Sequence, residues 1–212
     1  MKITNYQIQK NEQRVSVFVD DKYAFSVTKD NFVLNNLYVG KELTEQQILE
    51  IQKEDEKSKA FSYVLYQLGF GAKTQKELIL KMQKQKYSEE AQYYALNKAK
   101  EYGYVDDEEY CESFINQHKN ISGWGEQKIY SALITKGIPK EIIKRKLEKL
   151  YSDDDLFENA YNCALKKYNT IKNKTEDKYK IRQKLYMFLS GRGFNYDVIS
   201  RVINEICEQE DD

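Results

Sequence analysis

A pattern of apolar and turn residues recurs three times along the chain, and this repeat constrains the fold more than any other feature of the sequence. Leu78, Ile129 and Leu185 hold the same place in successive copies and lie roughly 50 to 55 residues apart, the scale of a helical supersecondary unit. In full, the copies read Leu78, Met82, Lys86-Tyr87; Ile129, Leu133, Lys136-Gly137-Ile138; and Leu185, Leu189, Arg192-Gly193-Phe194.

The end of each copy predicts how one helix gives way to the next. Glycine after a basic residue permits a left-handed cap, and the apolar residue that follows can pack back on the preceding helix. One further helix is predicted before each repeated motif and one after it, which gives each unit three helices. The preceding helices are predicted at 55–68, 107–120 and 153–168, and the following ones at 88–102, 139–151 and 195–208. The sequence therefore predicts a mainly α protein, a helical-repeat array of three modules.

Two capping boxes mark helix starts near the first copy. In Thr44-Glu45-Gln46-Gln47 and Thr74-Gln75-Lys76-Glu77, the threonine hydroxyl can accept a hydrogen bond from the third helical N–H. The Gln or Glu side chain can in turn accept one from the threonine N–H. The segment between them keeps apolar residues at helical spacing until Gly69-Phe70-Gly71, where we expect the helix to break.

The N-terminal residues follow a different period. Apolar residues alternate over 15–19 and again over 23–27, with Asp20-Asp21-Lys22 between them, which predicts a β-hairpin. With 3–9 as a further strand and Asn11-Glu12 as its turn, the chain is expected to open on a three-stranded meander. A helix over 30–39, ending at Gly40, would lie beneath it.

These elements divide the chain into four predicted regions. Residues 1–54 form a meander-plus-helix extension, and 55–105, 106–152 and 153–212 form the three-helix repeats. Pro139 is the only proline and glycine is scarce, so the composition leaves room for long helices.

The charge balance limits what the chain can bind. Lysine plus arginine and aspartate plus glutamate each number 34, whereas a dedicated DNA-binding domain usually carries a basic excess. Any contact with nucleic acid must therefore come from local patches. No apolar run is long enough to cross a bilayer and the start lacks a secretory signal, so we expect a soluble cytoplasmic protein.

Residues able to carry chemistry are present, but their spacing does not form a reactive site. Cys111, Cys163 and Cys207 lack zinc-site spacing, and His118 has no nucleophile to serve. The acidic runs 106–109 and 153–155 stand at predicted helix starts, where carboxylates cap free N–H groups. Gly123-Trp124-Gly125 lacks the form of a phosphate cradle and predicts a turn with a packed tryptophan. We expect no catalysis, cofactor or metal; the alternative is an enzyme using these carboxylates and a divalent metal on nucleic acid.

Lysine-rich segments are the candidate binding surface, although such helix faces are often only solvated. Basic residues concentrate beside the repeat junctions, which suggests a groove that meets acidic protein surfaces or DNA phosphates. Tyr93, Tyr94, Tyr102 and Tyr104 are able either to stack on bases or to pack between helices. The candidate binding residues are Lys81, Lys84, Lys86, Lys136, Lys140, Lys144, Arg145, Lys180, Arg182, Lys184 and Arg192.

Several short motifs, taken in order, resemble the RecX family of bacterial regulators of the RecA recombinase. The resemblance runs from about residue 55 to Cys207, and the strand-rich extension is similar to that of longer RecX proteins from Gram-positive bacteria. Cys111 departs from the alanine usual in the family, and Lys86-Tyr87 lacks the glycine of the later copies. The matching motifs are Thr74-x-x-Glu77-Leu78, Glu101 to Asp107 with Tyr110 and Phe114, Gly123-x-Gly125, Leu133-x-x-Lys136-Gly137-Ile138 and Arg192-Gly193-Phe194.

The resemblance implies a curved array of three-helix modules that docks in the groove of a RecA filament on single-stranded DNA. It also implies inhibition of strand exchange, of ATP hydrolysis and of the LexA self-cleavage that the filament stimulates, and so a role in recombination, DNA repair and the SOS response. DNA inside the filament is a further possible contact. We expect a monomer, because no heptad seam demands a dimer.

One alternative function stays open at this point. Short helices joined by tight turns also resemble helix-turn-helix pairs, which would make the chain a DNA-binding protein that acts without RecA. The neutral overall charge argues against it.

Overall fold

The alternating residues near the N-terminus form the predicted meander in the computed structural model, which describes residues 1–10 and 13–208. Strands β1 (Ile3–Ile8), β2 (Arg14–Val19) and β3 (Lys22–Thr28) pair antiparallel in sequence order. Val17, Phe25 and Val27 are buried, since alternate residues of a strand share one face. The predicted turn at Asn11-Glu12 lies outside the described residues.

The helix predicted over 30–39 is wrong in its extent. Helix α1 covers only Lys29–Leu34, and Asn36 then adopts a left-handed φ of 46°. Beyond it the backbone pairs with the first strand: the Gly40 N–H donates to the Ile3 carbonyl at 2.8 Å, and the Ile3 N–H donates to the Lys41 carbonyl at 2.9 Å. These sheet bonds, together with the burial of Leu37, replace the missing turns of helix.

Helix α2 (Glu45–Leu68) begins at the predicted Thr44 capping box and ends at the predicted glycine break. It passes without interruption through the position where the extension was expected to give way to the first repeat. Helices α3 (Gln75–Lys84) and α4 (Glu89–Glu101) complete the first of two compact units, Met1–Val105. The Thr74 capping box is also confirmed, and the Ser88 hydroxyl caps α4 by accepting from the Ala91 N–H. The division into four regions stays a prediction.

Asp55 joins the meander to α2 from a buried position. Its carboxylate accepts hydrogen bonds from the Thr28 N–H at 2.7 Å and the Asn31 amide at 3.2 Å. Arg14 at 3.0 Å and Lys59 at 2.8 Å form ion pairs with it. Burial favours the neutral acid, but the combined donors outweigh burial and lower the pKa of Asp55.

The second unit, Asp106–Asp212, contains the other two repeats. Its core joins side chains from both repeats into one cluster, which includes Ile129, Leu133 and Leu185. With α1 to α4, the described residues contain ten α-helices. The second repeat comprises α5 (Asp107–Gln117), a π-helical turn (His118–Ser122), α6 (Glu126–Thr135) and α7 (Lys140–Leu150); the third comprises α8 (Asp153–Lys172), α9 (Lys178–Gly191) and α10 (Tyr196–Glu208).

The repeat junctions share one backbone geometry, as predicted. Lys86, Gly137 and Gly193 are left-handed, with φ of 62°, 87° and 85°. The next residue donates its N–H to the carbonyl five residues earlier in every copy, at 3.3 Å for Tyr87, 3.1 Å for Ile138 and 3.3 Å for Phe194. The first copy therefore makes the same cap with a lysine in place of glycine.

The end of α9 also completes the start of α6. The Gly125 N–H donates to the Arg192 carbonyl at 2.8 Å, and the Gln127 N–H donates to the Gly193 carbonyl at 3.1 Å. Two of the N–H groups that a helix start leaves unpaired are satisfied in this way. This close approach of the α9 end to α6 requires glycine at position 193, because a Cβ there would lie 2.4 Å from the backbone nitrogen of Lys128.

Gly123-Trp124-Gly125 forms the predicted turn, with its tryptophan packed. His118 stacks on Trp124 with ring centroids 4.0 Å apart, and the Lys128 ammonium lies 4.5 Å from the centroid of the indole. The Tyr151 hydroxyl donates to the Trp124 carbonyl at 2.7 Å. Tryptophan thus holds the π-helical turn against α6 and α7.

Gly193→Ala is expected to lower the free energy of unfolding by about 2 kcal/mol or more, since a left-handed non-glycine residue alone costs roughly 1 to 2 kcal/mol. Gly191→Ala is the matched control, because a Cβ there meets nothing within 4 Å and alanine favours a helix. Urea unfolding of both variants measures the difference. Equal stabilities would contradict the junction described here.

Lys86→Gly is expected to raise the free energy of unfolding by about 0.5 to 1 kcal/mol, because glycine removes the left-handed strain at a modest cost in unfolded-chain entropy. Lys86→Ala removes the same ammonium but keeps a Cβ, so its stability should stay close to that of the parent. Urea unfolding again provides the measurement, and a destabilised glycine variant would refute the equivalence of the three junctions.

Candidate functional site

The candidate basic residues of the first unit stand at the end of α3. Lys84 and Lys86 are exposed and Lys81 is half-buried. Lys81 and Lys84 occupy the last turn of the helix, where cations are favoured by the helix dipole. This group is therefore a small patch beside the first repeat junction.

The second group lies on and near α7. Two of its four residues contact other side chains, and the other two are exposed to solvent. Lys140 and Lys144 are exposed, and within the described part of the chain neither forms an ion pair. Arg145 instead binds Glu108 at 2.7 Å. Lys136 lies over the rings of Tyr110 and Phe114, at 5.3 and 5.8 Å from their centroids.

The third group lies on α9. Lys180, Arg182 and Lys184 are all exposed. Lys180 pairs with Asp177 at 3.2 Å, and Arg182 donates to the Asn204 side chain at 2.8 Å. Helix α9 packs against α8 and α10, whereas α7 packs against α5 and α6. The candidate residues on α7 and α9 thus form two local groups, one on each helix.

Arg192 has an internal role that its position in the motif did not reveal. Its Nη1 donates to the Ser122 carbonyl at 2.5 Å and to the Gly123 carbonyl at 3.3 Å. The guanidinium carbon lies 4.8 Å from the centroid of the Phe188 ring. Arg192 therefore ties α9 to the π-helical turn.

Several of the candidate stacking tyrosines are exposed. Tyr93 is 72% exposed, and Tyr102 and Tyr104 are each 55% exposed, with the last two rings 5.7 Å apart. Tyr94 is half-buried and accepts a hydrogen bond from Lys98 at 3.2 Å. Sequence reasoning missed a second aromatic surface on α9 and α10, because only the fold brings its tyrosines together. Tyr179, Tyr186 and Tyr196 line a cavity of about 340 Å³ with Arg182.

The acidic runs act as helix caps, as predicted. Asp106 accepts from the N–H groups of Glu108 and Glu109 at 2.7 and 3.2 Å. Asp155 completes a capping box with Ser152 and pairs with Lys119, which lowers its pKa to about 2. Across residues 1–10 and 13–208, no cluster of histidine, cysteine and carboxylate side chains is arranged to hold a metal ion.

Three further titratable side chains of this unit, Cys111, Tyr151 and His118, are buried or half-buried. Burial raises the pKa of the Cys111 thiol to about 11 and that of the Tyr151 hydroxyl to about 12. Burial, followed by the charges of Lys128 and Lys136, lowers the pKa of His118. Cys111 is therefore a neutral thiol near pH 7, which does not suit a nucleophile. No helix of the described residues combines the length and apolar character that crossing a bilayer requires.

Three family models match this chain. The "Regulatory protein RecX N-terminal domain" matches residues 1–44, the second RecX three-helix domain matches 106–147, and the third matches 153–203. Regulatory protein RecX of Clostridium perfringens strain SM101 is 34% identical over 210 residues, covering 99% of this chain and 98% of that protein. The Bacillus licheniformis protein of the same name is 36% identical over 214 residues, covering 99% and 79%.

Solved structures agree with the sequence relatives. A crystal structure of regulatory protein RecX superposes with a TM-score of 0.73 at 28% identity, over 95% of this chain and 98% of that one. RecX from Lactobacillus salivarius gives a TM-score of 0.64 at 28% identity, over 72% and 97%. The repeat junctions, the N-terminal meander and these matches agree on one assignment: the chain belongs to the RecX family of regulatory proteins.

Proposed function

We propose that this chain binds the RecA filament on single-stranded DNA and restrains it, without chemistry of its own. The restrained activities are strand exchange, ATP hydrolysis and stimulated self-cleavage of LexA, which places the protein in recombination, DNA repair and the SOS response in the cytoplasm. The observation that carries the proposal is the match to RecX regulatory proteins over nearly the whole chain.

The helical repeats suit such a partner. Arrays of small helical modules offer extended surfaces that can follow a long assembly. In this chain, exposed lysines lie beside the junctions: Lys84 and Lys86 at the end of α3, and Lys140 and Lys144 on α7. Exposed cations of this kind can meet acidic filament surfaces or the phosphates of the enclosed DNA.

The function is tested by RecA ATP hydrolysis on single-stranded DNA with increasing amounts of this protein at fixed salt. We expect suppression at less than one copy per RecA subunit, because a protein bound along the filament acts on more than one subunit. Full ATP hydrolysis in the presence of folded protein would reject the proposal. Tight, sequence-specific binding to bare duplex DNA would instead favour a DNA-binding protein that acts without RecA.

Reversing charge at Lys140 and Lys144 is expected to weaken filament binding roughly tenfold. Each glutamate would replace an attractive contact with the filament by a repulsive one, and surface charge pairs are worth up to about 1 kcal/mol each. The double variant Lys140→Glu/Lys144→Glu is compared with Lys10→Glu/Lys22→Glu, which reverses two exposed charges of the meander. Filament affinity and the thermal midpoint are measured for both. Unchanged affinity in a folded α7 variant would remove this surface from the binding site.

A further inference from the structure

A cavity of about 530 Å³ in the second unit is lined by three cations and by no carboxylate of the described residues. Lys166 and Lys167 of α8 supply two of the charges, and Arg192 at the end of α9 supplies the third. The side chains of Asn162 and Thr170 also line it. The volume lies within the range of small-molecule sites, roughly 300 to 1,000 Å³.

Two of the three cations lie over one aromatic ring. The Lys167 ammonium and the Arg192 guanidinium lie 5.5 and 4.8 Å from the centroid of Phe188. Both hydrogen bonds of Arg192 use Nη1, so within the described part of the chain its Nε and Nη2 have no hydrogen-bond partner. Lys166 is exposed and forms no ion pair with any described residue.

This concentration of charge is unusual in a chain whose net charge is zero. Two other cations of the unit pair with carboxylates instead: Lys119 with Asp155 and Lys146 with Glu112. A guanidinium with free donors beside two ammonium groups and neutral amides suits the oxygens of a phosphate group. Residues 120–123, at the end of the π-helical turn, form another wall, and their hydroxyl and backbone groups add polar surface.

We infer that this cavity, named here the α8 pocket, binds a phosphate group, supplied either by the backbone of single-stranded nucleic acid or by a free nucleotide. The pocket requires no RecA, so its test is independent of the proposed function. Lys166 and Lys167 contact the ligand, and Arg192 both builds the wall and donates to the phosphate.

The test measures binding of pyrophosphate and of a twelve-residue oligothymidylate to the full chain by calorimetry at low salt. Lys166→Gln/Lys167→Gln is expected to weaken both at least tenfold and to reduce the salt dependence of oligonucleotide binding by about 1.4 in log–log slope. Lys10→Gln/Lys22→Gln removes the same charge near the meander and should bind like the parent. Asn162→Asp keeps every lysine but places a carboxylate in the pocket, and should weaken binding even if the double variant unfolds.

Two results support the inference and identify the source of the phosphate. Loss of both ligands in the pocket variants indicates nucleic acid, whereas loss of pyrophosphate alone indicates a free nucleotide. Two results overturn it: a parent protein that binds neither ligand, or Lys166→Gln/Lys167→Gln and Asn162→Asp variants that are folded and retain the parent's affinity for both.

Discussion

The left-handed residue at the end of the middle helix in every repeat fixes the rest of the architecture. It reverses the chain within one residue and places a large apolar side chain back on the core it has just left. Ile138 and Phe194 are almost fully buried for this reason. In the third repeat, the same reversal presents the carbonyls of Arg192 and Gly193 to the start of α6, so that one turn ends a helix and begins another.

Sequence reasoning reached the fold where the signals were local. Capping boxes at Thr44 and Thr74, the alternation in the first strands and the glycine pattern each depend on residues a few positions apart. The length of α1 was not predictable in this way. The residues after Leu34 do not continue the helix, because Gly40 and Lys41 form backbone hydrogen bonds with Ile3 of β1. Asp55 likewise looked like a helix-start residue, since nothing nearby in the sequence announces Arg14 or Thr28 as its partners.

The candidate site shows the same division. Composition and clustering found the lysines, but could not say which of them are already engaged. Arg145 binds Glu108 from the first helix of its repeat, and Arg192 reaches carbonyls in the turn before α6, whereas Lys140 and Lys144 stay exposed. The tyrosines of α9 and α10 and the α8 pocket were out of reach for a related reason: each is assembled from separate elements, and no single stretch of sequence carries its pattern.

The dependence of α6 on the end of α9 affects the order in which the chain can fold during translation. All the partners of Asp55 and of the meander lie within the first unit. That unit therefore has every residue of its core and hydrogen bonds as soon as α4 leaves the ribosome. The second repeat does not, because the carbonyls that complete its middle helix and much of its core come from the last third of the chain. The two repeats of the second unit must therefore fold together late in translation. A product that ends after α7 would expose the unpaired N–H groups at the start of α6 and an open apolar face.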